Sequence, residues 1–285
     1  MSIVRALRIL ASQRPTLPPR AVAAPARVQR RKHQGVPVTW IDADRAAAST
    51  IVHLHGGGHL YGESPNHWGL LEEVGRRAGA ATAMVHFRLP PRYPFPAALD
   101  DVLGAIDAMG RESLLRPGRW ALSGDSAGGG LALAAAQSLI HAGADAPALL
   151  LLESPWADLT PAARRPAGTE GAEDGQDDEH AADLRTAVRL YARGVPPEDP
   201  RISPLHGELG ALPPVHLVTG AEDYLVEDSR RLHAAITDAG GTATYLEIPG
   251  AGHDPAIHGD GPAAQSGRRS QIEAAHACLR HPAAT

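Results

Sequence analysis

Cysteine is almost missing from the sequence: Cys278 is the only one in 285 residues. A disulfide within the chain is thereby excluded, as is any Cys-rich zinc site. Lysine is equally scarce, with Lys32 the single lysine among 27 basic residues. Aromatic residues make up only 4%, as four Trp, five Tyr and two Phe. Basic charge is not in excess either. The formal net charge is −5, so no overall positive field exists to gather nucleic acid or anionic lipid. No stretch approaches the ~18 consecutive apolar residues of a membrane-spanning helix, so stable membrane insertion is not expected. The start of the chain is interrupted by Arg5, Arg8 and Arg14 and lacks the apolar centre of a secretory signal. A cytoplasmic location is the expectation.

What remains is an alanine-rich chain, with 52 Ala, that is 43% apolar and 21% charged. That balance excludes disorder as the main state. The length suits one large α/β domain, which needs neither disulfides nor a structural metal to bury its core. Residues 1–25 read as a separate cap segment. It begins with a short amphipathic helix, with Ile3, Leu7 and Leu10 on one face, and continues through Pro15, Pro18, Pro19 and Pro25. Residues 26–285 form the main domain. Strand signals at 36–41 and 50–55 are followed by a regular alternation: helix 67–78, strand 81–86, helix 97–109, strand 119–123, helix 126–142, strand 148–152. Strand 215–219, helix 226–239, strand 242–248 and helix 263–279 complete it. Such alternation predicts a mostly parallel sheet with helices on both faces. Continuous apolar runs such as Leu149–Leu152 are what a strand covered on both sides requires. One segment breaks the rhythm: 161–180 carries Glu170, Glu173, Asp174, Asp177, Asp178 and Glu179 among small residues. It reads as an inserted acidic loop, with a helix over 181–193 to complete a cap insertion at about 161–195.

Gly124-Asp125-Ser126-Ala127-Gly128 fits G-x-S-x-G at a strand-to-helix junction. A tight turn there leaves room only for glycine, lifts the serine oxygen off the sheet and aims the next amide at the same point. Upstream, His55-Gly56-Gly57-Gly58 follows a strand. Its glycines let backbone N–H groups approach a substrate oxygen without intervening side chains. A serine hydroxyl needs a base to take its proton and a carboxylate to orient that base. On such a sheet the expected chain order is Ser, acid, His. Thr219 to Leu225 offers Asp223 after one strand, and Pro249 to His253 offers His253 after the last. Glu222 is an alternative acid and His258 an alternative base. His53, His55 and His59 raise the question of a metal, but no adjacent carboxylate or Cys completes a site, so none is expected. Of the few aromatics, Tyr61, Trp156, Tyr191 and Tyr224 are candidates for the substrate pocket, since they lie at or near these motifs or the proposed mouth of the site. Cys278 is assigned no chemistry.

The chain resembles the bacterial hormone-sensitive-lipase-like esterases of the α/β-hydrolase superfamily. The resemblance runs from about Thr50 to Asp254. It includes HGGG at 55–58, Phe87-Arg88-Leu89-Pro90-Pro91, Phe95-Pro96-Ala97-Ala98-Leu99-Asp100-Asp101 and Gly124-Asp125-Ser126-Ala127-Gly128-Gly129. Ser154-Pro155-Trp156, Ser203-Pro204-Leu205 and Asp223-x-Leu225 belong to the same series. It implies an α/β-hydrolase fold with a small helical cap, Ser126 as nucleophile, Asp223 as acid and His253 as base. It further implies an oxyanion hole from the amides of Gly57, Gly58 and Ala127, no metal or organic cofactor, and a homodimer. The activity implied is cleavage of carboxylic esters with short acyl groups through an acyl-enzyme. An amide deacetylase or acyltransferase would use the same residues, and a silent ligand-binding relative would normally have a broken triad. Two departures stand out: Arg92 replaces the usual Glu, and Tyr224 stands where Pro is frequent.

Overall fold

A computed structural model describes residues 3–160, 176–259 and 261–280, and side chains throughout these except at 3–6, 176–183 and 280. Most of the acidic insert, 161–175, lies outside the described residues, and so do its carboxylates at 177–179. Eight strands form one sheet in the order β1-β2-β4-β3-β5-β6-β7-β8. They are β1 Val28–His33, β2 Val36–Ile41, β3 Thr50–Leu54, β4 Ala81–Val85, β5 Trp120–Asp125, β6 Leu149–Glu153, β7 Val215–Gly220 and β8 Ala243–Ile248. β1 and β2 pair antiparallel, and β2 pairs antiparallel with β4. Every other pairing is parallel. The helices are α1 Ile3–Ser12, α2 Pro65–Ala78, α3 Ala97–Arg111, α4 Ser126–His141, α5 Gln176–Ala192, α6 Val226–Asp238, α7 Pro255–His258 and α8 Pro262–Arg280.

The central strands are apolar on both sides because each side meets a helix layer. In β6, Leu150 and Leu152 join the core under α3, α4 and α6. Leu149 and Leu151, pointing the other way, pack with Leu70 of α2 and Ile272 of α8. The two-residue period of a strand sends alternate leucines to opposite cores. Each fully buried leucine contributes about 2 kcal/mol through removal of apolar surface from water.

β1 and the N-terminal helix differ from the sequence expectation, α5 begins at Gln176 within the stretch read as an acidic loop, and the short α7 was not anticipated. β1 went unread because Val28–His33 is mostly polar and, apart from the buried His33, half-buried or exposed. As an outer strand it carries Arg30, Arg31 and Lys32, charges that discourage pairing with another chain. The N-terminal helix forms, but with a different buried side. Ile9 is fully buried, whereas Leu7 and Leu10 are 62% and 44% exposed. Among the described residues no helix is long and apolar enough to cross a membrane.

The cap segment is tied down by polar contacts rather than by that helix face. Gln13 Nε2 donates to the carbonyls of Leu60 at 2.7 Å and Pro90 at 2.6 Å. Glu63 accepts from the Thr16 amide at 2.5 Å and its hydroxyl at 2.8 Å. Leu60 and Glu63 lie between the HGGG loop and α2, and Pro90 lies in the loop after β4.

Candidate active site

The parallel strands bring their carboxyl ends to one edge of the sheet, where ligands of open α/β sheets bind. Four loops meet there, after β3, β5, β7 and β8. At the β5–α4 junction Ser126 holds a left-handed backbone, φ +49°, a strained conformation for a residue other than glycine. The flanking glycines are dictated by contact. A Cβ on Gly124 would stand 2.4 Å from the Gly128 carbonyl oxygen, and one on Gly128 would stand 2.1 Å from that of Leu54.

Ser126 Oγ lies 3.0 Å from His253 Nε2. The other ring nitrogen, Nδ1, donates to Asp223 at 2.9 Å and 3.1 Å. Asp223 is itself fixed, accepting the Leu225 amide at 2.8 Å. The loops bearing Asp223 and His253 come together because residue 220 is glycine: a Cβ there would meet the carbonyls of Ala251 and Gly252, both at 2.2 Å. Glu222, the alternative acid, is exposed to solvent. His258, the alternative base, sits on α7 with its Nε2 4.0 Å from Asp254.

The HGGG loop leaves β3 beside the serine. Gly57 and Gly58 have φ of +109° and +59°, and a Cβ on Gly57 would fall 2.5 Å from the Tyr61 carbonyl oxygen. Ala127 opens α4, where amides have no partner within the helix. His55 stacks on Phe87 at 4.5 Å and its Nδ1 faces the Gly56 carbonyl at 2.8 Å. Burial pushes its imidazole down to about 4, so it stays neutral and braces its loop.

A cavity of about 370 Å³ opens over these groups. Gly57, Gly58, Tyr61, Ser126, Tyr224 and His253 line it, with Leu184 and Ala187 of α5 on the cap side. Two aromatic candidates stand elsewhere. Trp156 and Tyr191 are buried, at 1% and 2% exposure, and neither lines the cavity. Tyr191 stacks on His59 at 3.8 Å, joining α5 to the HGGG loop from behind.

Sequence reasoning missed the layer beneath the site. Asp125 is buried between two imidazoles, His53 Nε2 at 3.1 Å and His67 Nε2 at 3.2 Å. Burial works against its charge, yet His67 and His53 hold its carboxyl well below the usual range. The three side chains lie close enough to hold a metal ion among the described residues. Asp125 also accepts the Gly56 amide at 2.9 Å, however, and the Ser64 amide donates to His67 Nδ1 at 3.0 Å. Asp125 Oδ2 is thus taken by the loop amide and the His67 ring, whereas Asp125 Oδ1 and His53 Nε2, 3.1 Å apart, are buried without a hydrogen-bond partner. A signal for Asp125 was present, since it lies inside the serine motif. His67 had none, because its partner is 58 residues away.

Residues 51–257 match the family described as the alpha/beta hydrolase fold. The chain belongs to it. An acetyl-hydrolase of Streptomyces hygroscopicus is 40% identical over 241 residues, covering 85% of this chain and 78% of that one. An ethyl acetate hydrolase of Pseudomonas putida is 32% identical, with 75% and 68% covered. A solved esterase of the bacterial hormone-sensitive lipase family superposes with a TM-score of 0.76 at 26% identity, covering 98% of this chain and 99% of that one. Within the α/β hydrolases the chain is therefore an esterase of the hormone-sensitive-lipase kind.

Proposed function

We propose that this hydrolase cleaves carboxylic esters with short acyl groups through an acyl-enzyme on Ser126. The observation that carries the reading is one continuous chain of contacts under the cavity: Ser126 Oγ to His253 Nε2 at 3.0 Å, and His253 Nδ1 to Asp223 at 2.9 Å. In this reading Ser126 attacks the ester carbonyl while Nε2 takes its proton. Asp223 holds the ring in the tautomer that leaves Nε2 free and stabilises the imidazolium as it forms. The amides of Gly57, Gly58 and Ala127 receive the developing oxyanion, each such donor being worth roughly 3 kcal/mol. Nε2 then passes the proton to the departing alcohol, and a water activated by the same nitrogen releases the acid.

The short acyl preference rests on the modest cavity, with Leu184 and Ala187 closing its cap side, and on the acetyl and ethyl acetate specificities carried in the relatives' names. In this reading residues 1–25 and α5 form the cap over a main domain of 26–285. A homodimer would pair through β8, which ends the sheet.

Fluorophosphonate labelling followed by a p-nitrophenyl ester series tests the reading. Covalent modification at Ser126 is expected, with acetate and butyrate cleaved faster than decanoate. A folded protein that takes no label would overturn it. Faster cleavage of p-nitroacetanilide than of p-nitrophenyl acetate would move the assignment to amide deacetylation.

A further inference from the structure

Tyr224 directly follows the candidate acid, and one turn places them both. Asp223 accepts the Leu225 amide through its carboxylate at 2.8 Å and the Val226 amide through its backbone carbonyl at 3.1 Å. The first of these contacts is an Asx turn, with Tyr224 as its middle residue. The phenol ring is set over the imidazole that Asp223 holds: the ring centroids of Tyr224 and His253 lie 4.4 Å apart, with the planes tilted by 36°. Tyr224 also packs against the main core and lines the cavity beside Ser126 and His253. The imidazole therefore meets Asp223 at Nδ1, Ser126 at Nε2 and Tyr224 on one face.

We propose that Tyr224 is a positioning residue for His253, holding the neutral ring in place and attracting it more strongly once it carries the proton of Ser126. The proposal rests on the triad reading above.

A neutral imidazole gains only packing from this contact. An imidazolium gains more, because the face of an aromatic ring is its negative side and attracts a cation within about 6 Å of its centroid. Interactions that strengthen toward the transition state are the ones that speed a chemical step, and this contact meets that condition. Nε2 takes the Ser126 proton as the serine attacks, and gives it to the departing alcohol. It next takes a proton from the attacking water, and returns it to Ser126 Oγ as the acid leaves. The charged ring thus forms in both halves of the reaction over the same face, with ester and water as the only reactants.

The surroundings suit this role. Burial, then the carboxylates of Asp254 and Asp223, push the Tyr224 phenol above the ordinary tyrosine range, so it stays a neutral ring. Among the described residues neither Arg nor Lys lines the cavity to repel an imidazolium. The Tyr224 hydroxyl also reaches the Ser126 side chain, so ring and hydroxyl require separate tests.

The test compares the parent with Tyr224→Leu, Tyr224→Phe, and the Phe variant carrying one, two or three ring fluorines. Fluorine withdraws electron density from the face and leaves its shape nearly unchanged. Turnover is measured on p-nitrophenyl acetate and p-nitrophenyl butyrate. Phe should keep kcat within about threefold of the parent. Leu should lose about tenfold in kcat, equally for both esters, with KM within about twofold. Each added fluorine should lower kcat further. A residue that merely shapes the pocket would change KM and the acetate-to-butyrate ratio and leave the fluorine series flat. A flat series overturns the proposal, and it decides the matter even if the Leu variant fails to fold. A Phe variant as slow as Leu also overturns it, by assigning the effect to the hydroxyl at Ser126. Absence of fluorophosphonate label on the folded parent would instead sink the triad reading beneath it.

Discussion

Asp125 accepts the backbone N–H of Gly56 at 2.9 Å, tying the residue before Ser126 to the loop that holds Gly57 and Gly58. A Cβ on Gly56 would lie 2.2 Å from the same carboxylate oxygen, so the contact also explains why residue 56 is glycine. The candidate nucleophile and the candidate oxyanion donors thus share one anchor. Asp125→Ala would leave the Gly56 amide and the buried His67 ring without their acceptor. Loss of one partner from a buried charged network costs about 3–5 kcal/mol, so a lower urea midpoint is expected. Activity should fall mainly in kcat, because the donors shift relative to Ser126. Unchanged stability and unchanged kcat would contradict this role.

Gly57→Ala separates the oxyanion loop from overall stability. The new Cβ would meet the Tyr61 carbonyl oxygen at 2.5 Å from a φ of +109°, so the loop must move. The distortion is local to a surface turn beside the cavity. A fall in kcat of about 10²–10³ is expected, the usual effect of losing one such donor. Thermal denaturation should show a smaller change than Asp125→Ala.

Asp223→Asn tests the orienting acid. The amide can donate to His253 Nδ1 and so favour the wrong tautomer, with Nε2 protonated and unable to accept from Ser126. A loss of about 10⁴ in kcat is expected for such a change. Glu222→Gln, on an exposed neighbour, should leave kcat within about twofold of the parent. The reverse pattern would assign the acid to Glu222.

The parallel sheet was legible because its strands are buried on both faces and therefore read as continuous apolar runs, as in Leu149–Leu152. The two glycine motifs were legible for a related reason, since close backbone approach leaves a compositional trace. β1 left none: an outer strand half in water is built from polar residues. The N-terminal helix misled because its periodicity was matched by Leu7 and Leu10, while packing selected Ile9. Trp156 and Tyr191 lie near motifs in sequence or in the cap, yet they support the loops from behind rather than meet a ligand. The Asp125 network depends on long-range pairing with Gly56 and His67, which spacing along a chain does not encode.

Glu153 gives the fold a pH dependence opposite to that of an ordinary ion-paired carboxylate. It is buried at the end of β6, accepting Ala256 N–H at 2.5 Å and Gln271 Nε2 at 2.8 Å. Burial, with Asp125 adding to it, pushes its carboxyl up to about 8. The native state therefore binds this proton more tightly than the unfolded chain, where a glutamate titrates near ~4.3. Its stabilisation is complete below about pH 4 and is lost progressively as pH rises toward 8, by a few kcal/mol in all. Glu153→Gln removes the titration while retaining a side-chain carbonyl to accept the Ala256 amide. The variant should match the parent near pH 5 and melt several degrees higher near pH 8.5. A parent advantage that grows with pH would show that Glu153 is held as a stabilised anion instead.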